Sequence, residues 1–111
     1  KVQAETAARQ FSNYLKLARS LAITHASSNA SGYKVVLSEG FTSYSIINAE
    51  TSEPVKGPVD IPEGVTCSGD SEFHFTPLGE LQGGGTLTLQ FQKSDDTTVV
   101  TVTPIGRITA Q

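Results

Sequence analysis

The residues with the widest chemical repertoire in this chain are two histidines, His25 and His74, and a lone cysteine, Cys67. A zinc site takes three or four ligands, and no Cys/His pair here has metal-ligand spacing, so no metal is expected. His74 stands between Phe73 and Phe75. It is expected either to alternate outward from a strand or to be half-buried with its hydrogen bond satisfied. Cys67 cannot close an internal disulfide and gives no help on redox compartment. In the run Val65-Thr66-Cys67 it reads as a small strand residue, at least partly buried. A catalytic thiol wants a base and an orienting partner beside it, and the sequence identifies neither.

Three acidic groups fall in expected loops: Glu50-Thr51-Ser52-Glu53, Asp70-Ser71-Glu72 and Asp95-Asp96. Calcium needs six to eight oxygen donors, and these runs lack the spaced Asp/Asn-Gly arrangement of a loop site, so solvated turns are the better reading. Gly83-Gly84-Gly85 is followed by no Lys-Ser/Thr pair and opens no helix, which makes it a loop rather than a phosphate cradle. No serine or threonine stands in a nucleophile motif. Neither catalytic nor cofactor-binding residues are expected.

The element that positions everything else is an N-terminal helix over residues 1–28. At 100° per residue, Ala4, Ala8, Phe11, Leu15, Ala18, Ala22 and Ala26 fall in one stripe, with Ala7 and Tyr14 on its flank. Small side chains let a helix axis lie close to a sheet, so these residues are expected to hold one. Thr6, Arg9, Ser12, Asn13, Lys16 and Ser20 form the face that expects water. Leu17, Leu21 and Ile23 lie at or beyond the edge of the stripe. Isolated exposed apolar residues are ordinary; alternatively Leu17 and Leu21, one turn apart, are a ridge for another subunit.

At 111 residues, 37% hydrophobic and 17% charged, the chain is expected to be a single folded domain over 1–111. Net charge is -3 with no basic block, which argues against a nucleic-acid surface. There is no methionine, so Lys1 is expected to follow a removed segment. No run of about 20 apolar residues is present.

The helical pattern fades at His25 to Gly32, with Gly32 expected to supply the stop. Tyr33–Leu37 and Thr42–Ile47 read as a hairpin about Glu39-Gly40. Pro54, Pro58 and Pro62 make 48–64 an edge or a surface loop. Val65–Cys67 and Glu72–Phe75 read as short strands, with Gly79 and the glycine run in a flexible loop. Thr86–Gln92 alternates cleanly, putting Leu87, Leu89 and Phe91 on one face. Lys93-Ser94-Asp95-Asp96 is the expected turn, Thr97–Thr103 the return strand with Val100 and Val102 buried, and Arg107–Thr109 a last short strand. The fold class is α+β, one long N-terminal helix packed on antiparallel sheet, with the strand-rich part at 33–109.

Four stretches then carry a resemblance. They are Ala18-Arg19-Ser20-Leu21-Ala22-Ile23, Ile61-Pro62-Glu63-Gly64-Val65, Phe75-Thr76-Pro77-Leu78-Gly79 and Val102-Thr103-Pro104-Ile105-Gly106-Arg107-Ile108. In order and spacing the chain resembles the GspH/FimT group of type IV pilin-like proteins, minor pseudopilins of type II secretion and minor pilins of type IV pili. The resemblance implies a pilin-like head in which Phe75 anchors a strand, Pro77 and Gly79 form a turn, and Gly106 permits the bend before the last strand. Arg19 and Arg107 belong to the same motifs. It also implies an upstream apolar half-helix, cleaved by a prepilin peptidase and methylated, then held in the inner membrane and later in the filament axis. The family's glutamate lies in that segment; Glu5 is not its counterpart.

On this reading the protein is a non-enzymatic structural subunit, helping initiate or cap a filament. Its partners are other pilins or pseudopilins and the inner membrane, its head is periplasmic, and Leu17, Leu21 and Ile23 are its subunit-interface candidates. A lone Cys67 excludes the disulfide-closed loop of many major pilins, favouring a minor subunit. The alternative is a DNA- or ligand-binding minor pilin for DNA uptake or adhesion, using Thr51 to Pro62 and the glycine loop. Some FimT-type tails carry a second Arg soon after Gly-Arg; here Arg107 is followed by Ile108-Thr109-Ala110-Gln111, so nucleic acid is not the expected partner.

Overall fold

The computed structural model describes residues 2–83, 85–93 and 96–110, with side chains from Ala4 onward. Gly84 of the glycine run, Ser94-Asp95 of the last expected turn and Lys1 of the expected helix lie outside them. The chain opens with α1 (Val2–Thr24). Among the described residues eight strands follow: β1 (Tyr33–Leu37), β2 (Ser43–Asn48), β3 (Pro54–Asp60), β4 (Thr66–Gly69), β5 (Glu72–Phe75), β6 (Leu87–Lys93), β7 (Asp96–Val102) and β8 (Ile108–Ala110).

The strands form two antiparallel four-stranded sheets, β3-β2-β1-β5 and β4-β6-β7-β8, with α1 packed on both. The expected α+β architecture is therefore right, divided between two sheets. The first hairpin pairs Tyr33 with Asn48 through Leu37 with Tyr44. The last pairs Leu87 with Val102 and Lys93 with Asp96, so Leu89 faces Val100 as the alternation requires. The proline-containing stretch is an edge strand: β3 borders β2 with register shifts on either side of Ile46, and Pro54 to Pro58 are all exposed. A proline removes a ladder donor, and an edge has donors to spare.

The buried stripe of α1 is Ala4, Ala7, Ala8, Phe11, Leu15, Ala18 and Ala22, each at most 2% exposed. Against it the first sheet sets Val35, Ile46, Phe73 and Phe75, and the second sets Leu89, Phe91, Val100 and Val102, all fully buried. Phe11 is where the layers meet. Its ring lies 5.0 Å from Tyr44, 5.3 Å from Phe73 and 5.6 Å from Phe91, reaching two strands of one sheet and one of the other.

Three details depart from the sequence reading. Ser12, placed on the wet face, is buried, and its Oγ has no hydrogen-bond partner among the described residues. The helix lies against two sheets, so its covered arc is wider than one stripe. Ala26 is exposed, because α1 ends at Thr24 and residues 25–28 are turn. Gly32 is not the helix stop: it comes eight residues later and packs against the Phe75 carbonyl. Between them, buried Asn29 accepts from the Ser31 and Gly32 amides and donates to the Gly32 carbonyl and Asn48 Oδ1, fixing the chain's entry into β1.

Truncating Phe11 opens a cavity at the one place that touches both sheets. Phe11→Ala should cost about 3–5 kcal/mol and lower Tm by roughly 15 °C. Thermal and urea melts followed by circular dichroism would measure it. A loss below about 1 kcal/mol would show that the sheets are held together without this ring.

Candidate functional site

Two five-residue turns share one sequence pattern and one geometry. Thr76-Pro77-Leu78-Gly79-Glu80 follows Phe75, and Thr103-Pro104-Ile105-Gly106-Arg107 follows Val102. In each, the glycine amide donates to the threonine carbonyl, at 2.8 Å for Gly79 and 2.9 Å for Gly106. The threonine amide donates to the carbonyl four residues on, at 2.8 Å to Glu80 and 2.9 Å to Arg107. The threonine Oγ1 in turn accepts from the amide of that same fourth residue. Proline at the second position presets its φ for the turn, and glycine takes the left-handed conformation, φ 84° at Gly79 and 91° at Gly106.

The turns sit back to back. A Cβ on Gly106 would fall inside the Gly79 carbonyl oxygen, so glycine here answers a close backbone approach as well as φ. That same carbonyl accepts a 2.8 Å bond from Arg19 Nε, reaching across from α1. Directly after the first turn, the Leu81 amide donates to the Pro104 carbonyl at 3.0 Å while Leu81 bridges Phe75. Arg19, Gly79 and Gly106 therefore form one joint, tying helix, first sheet and second sheet. Phe75, fully buried, anchors the strand that leads into it. Pro77 opens the first turn, and Arg107 closes the second as an exposed side chain. Gly79, expected in a flexible loop, is buried, because α1 covers it through Arg19 and Ile23.

Beside the joint lies a groove of about 390 Å³ lined by Lys16, Arg19, Ile105, Gly106, Arg107 and Ile108. Among the described residues none of its three cations has a carboxylate within 4.0 Å, the ion pairs being Arg9–Glu5 and Lys34–Glu72. Leu78 and Ile105, at the turn tips, are 79% and 68% exposed, the largest values for big apolar residues among the described residues. The sequence reading took these two stretches as separate motifs. Their repetition as Thr-Pro-aliphatic-Gly was the available signal that they make one structure.

The helix candidates divide. Leu17 is exposed, whereas Leu21 is half-buried and packs against the core. Ile23 points to the other flank, where its Cδ1 lies 2.8 Å from a Cβ built on Gly79. The glycine loop of the alternative surface falls partly outside the described residues, at Gly84, and the strands flanking the two stretches are far apart in their sheet. β3 is one outer strand of its sheet and β5, with the following Leu81 bridge, is the other. Three strand spacings, roughly 14 Å, separate them. The Ile61-Pro62-Glu63-Gly64-Val65 motif lines a separate cleft of about 410 Å³ with Phe41 and Cys67.

The chemically versatile residues sit apart from one another. A ring nitrogen of half-buried His74 is hydrogen-bonded to the Ser31 carbonyl. His25 lies in the turn after α1, with its ring 6.0 Å from Tyr33. No group of three or more His, Cys, Asp or Glu able to hold a metal occurs among the described residues. Burial pushes the Cys67 thiol up to about 11. Burial also raises the Tyr44 phenol to about 12, helped by Tyr14, whose ring is 5.2 Å away, and by Cys67.

Two outcomes follow from these geometries. Gly40 has φ 82° with nothing near its Cβ position, so Gly40→Ala pays only for conformation, about 1 kcal/mol. Gly106→Ala adds a backbone collision and should cost at least about 2 kcal/mol more, measured as the difference in unfolding free energy between the two variants. Equal losses would mean that the two turns do not depend on their close approach. Separately, at pH 8 a thiol at about 11 carries about a hundredfold less thiolate than one at 9.0, so iodoacetamide should label native Cys67 about a hundredfold more slowly than the urea-unfolded chain. Equal rates would place the thiol in water.

No protein-family model matches the chain, and neither does any curated sequence. Solved structures do. The type IV minor pilin FimU of Pseudomonas aeruginosa superposes with a TM-score of 0.77 in one crystal form, at 18% identity over 96% of this chain and 86% of that one. A second form gives 0.72 at 20% identity, over 96% and 90% of the two chains. The minor pseudopilin EpsH of the type 2 secretion system of Vibrio cholerae gives 0.76 at 16% identity, over 98% and 96%. One helix laid on antiparallel sheets, followed over nearly the full length of proteins from two different machines, gives this chain the fold of minor pilins and minor pseudopilins.

Proposed function

We propose that this chain is a non-enzymatic structural subunit of the GspH/FimT type, the periplasmic head of a minor pilin or pseudopilin that helps initiate or cap a filament. The observation that carries the proposal is the match to FimU and EpsH over nearly the whole of both molecules, extending from α1 through the strands. On this reading α1 continues an upstream apolar half-helix that is held in the inner membrane before assembly. No helix among the described residues is itself long and apolar enough to cross a membrane. The outer face of α1, with Leu17 on it, then meets the helices of neighbouring subunits.

The alternative surface for DNA or another ligand, made from 51–62 and the glycine loop, has less support, because the chain carries a net charge of -3 and no basic block.

Leu17 carries the test, since a carboxylate at half-buried Leu21 would also strike the domain's own core. Leu17→Asp in the full-length chain should leave Tm within about 2 °C, as surface changes do. It should lower piliation or secretion roughly tenfold or more in a strain lacking the native copy, because an unpaired charge is driven into an apolar contact. Normal assembly with the variant would remove this face from the proposal.

A further inference from the structure

We infer that the paired turns and the groove beside them are a docking socket for an acidic, aliphatic segment of a neighbouring filament subunit. The inference rests on the structural-subunit reading and assigns it a second contact, on the flank of α1 opposite Leu17.

Three of the five large apolar residues most exposed among the described residues gather here: Ile23, Leu78 and Ile105. A turn tip that only reverses the chain has no need of an aliphatic side chain, and both tips carry one. They stand on backbone held by reciprocal hydrogen bonds and by Arg19, so the apolar surface is presented rigidly. Little ordering entropy remains to be lost when a partner covers it.

Charge specifies the occupant. Lys16, Arg19 and Arg107 converge on the groove in a chain whose net charge is -3, and no carboxylate of the described residues pairs with them. Glu80, which holds the place in the first turn that Arg107 holds in the second, forms no ion pair with them either. Arg19 gives its Nε to the Gly79 carbonyl, leaving its terminal guanidinium nitrogens to an incoming carboxylate. Ile105 and Ile108 supply an aliphatic wall beside those donors. A segment with one or two carboxylates next to a branched aliphatic residue complements both halves. Nucleic acid fits less well: the groove offers no aromatic face for a base and too few cations for a phosphate track.

The test uses the full-length chain in cells that make the filament subunits, with photoreactive benzoylphenylalanine in place of Leu78 or, separately, of Leu17. Irradiation at Leu78 should join the chain to a filament subunit at a segment containing Asp or Glu, identified by mass spectrometry of the crosslinked peptide. Lys16→Glu with Arg107→Glu should cut that adduct roughly tenfold, while Lys16→Arg with Arg107→Lys preserves it and the Leu17 adduct is unchanged. Both cations are exposed side chains, and Tm of each variant checks that the fold is intact. An adduct unaffected by charge reversal, or confined to nucleic acid or lipid, overturns the socket. Leu17 adducts without Leu78 adducts overturn the socket and leave the structural-subunit reading standing. Adducts with no filament subunit at either position overturn both.

Discussion

Two four-stranded sheets that share no ladder are held, beyond single backbone bonds such as the Leu81 amide to the Pro104 carbonyl, by side-chain packing, and the ring of Phe11 is where that burden concentrates. It meets Tyr44 and Phe73 of the first sheet edge-on and Phe91 of the second at a tilt. Edge-to-face aromatic pairs add about 0.5–1.5 kcal/mol each beyond burial. The alanines on either side of Phe11 let the helix axis come close enough for one large residue to reach both sheets. A stripe of leucines would hold the helix further out and leave this contact unmade.

The Arg19 joint repeats the arrangement nearer the other end of the helix, in polar terms. A charged donor on a backbone carbonyl makes a stronger bond than a neutral one, and this one fixes a carbonyl that also receives the back of Gly106. Phe11 thus sets how far apart the sheets lie, and Arg19 sets how their turns meet. Neither contact is available to the sheets without α1.

Much of this was legible in the sequence because it rests on periodicity. The alternation of Leu87, Leu89 and Phe91, the alanine stripe and the prolines of 54–62 each determine local structure directly, and the last hairpin, the helix and the edge strand formed there, the helix stopping at Thr24, short of the expected 28. What periodicity misses is set by tertiary neighbours. Ser12 is covered because a second sheet lies beside it, and the sequence does not count sheets. Ile23, six residues on from Leu17, stands on the other flank by helix geometry alone, but that the Gly79 turn comes up against it is set by the fold. The Arg19 joint spans 60 residues, so its meaning appears only when Gly79 and Gly106 are adjacent. Its trace in the sequence was a repeated Thr-Pro-aliphatic-Gly, a signal of turn type rather than of proximity. Asn29 looked like one polar residue in a turn-rich run, and became visible only as the acceptor shared by two amides.

The arrangement also commits the versatile side chains to separate surroundings. Cys67 lies in an edge strand of one sheet and His74 in an outer strand of the other, the first with its thiol held neutral by burial and the second committed to the Ser31 carbonyl. Nucleophilic catalysis needs a base within hydrogen-bond reach of the nucleophile, and among the described residues no hydrogen bond joins Cys67 to His74. What the fold offers instead is a rigid rod with different surfaces on its two flanks. At 1.5 Å per residue α1 runs roughly 34 Å, most of the molecule's 44 Å length. A neighbour touching Leu17 and one touching the turns would load opposite sides of the same helix. That load passes through Phe11 and Arg19, each of which engages more than one layer, before it reaches any single strand.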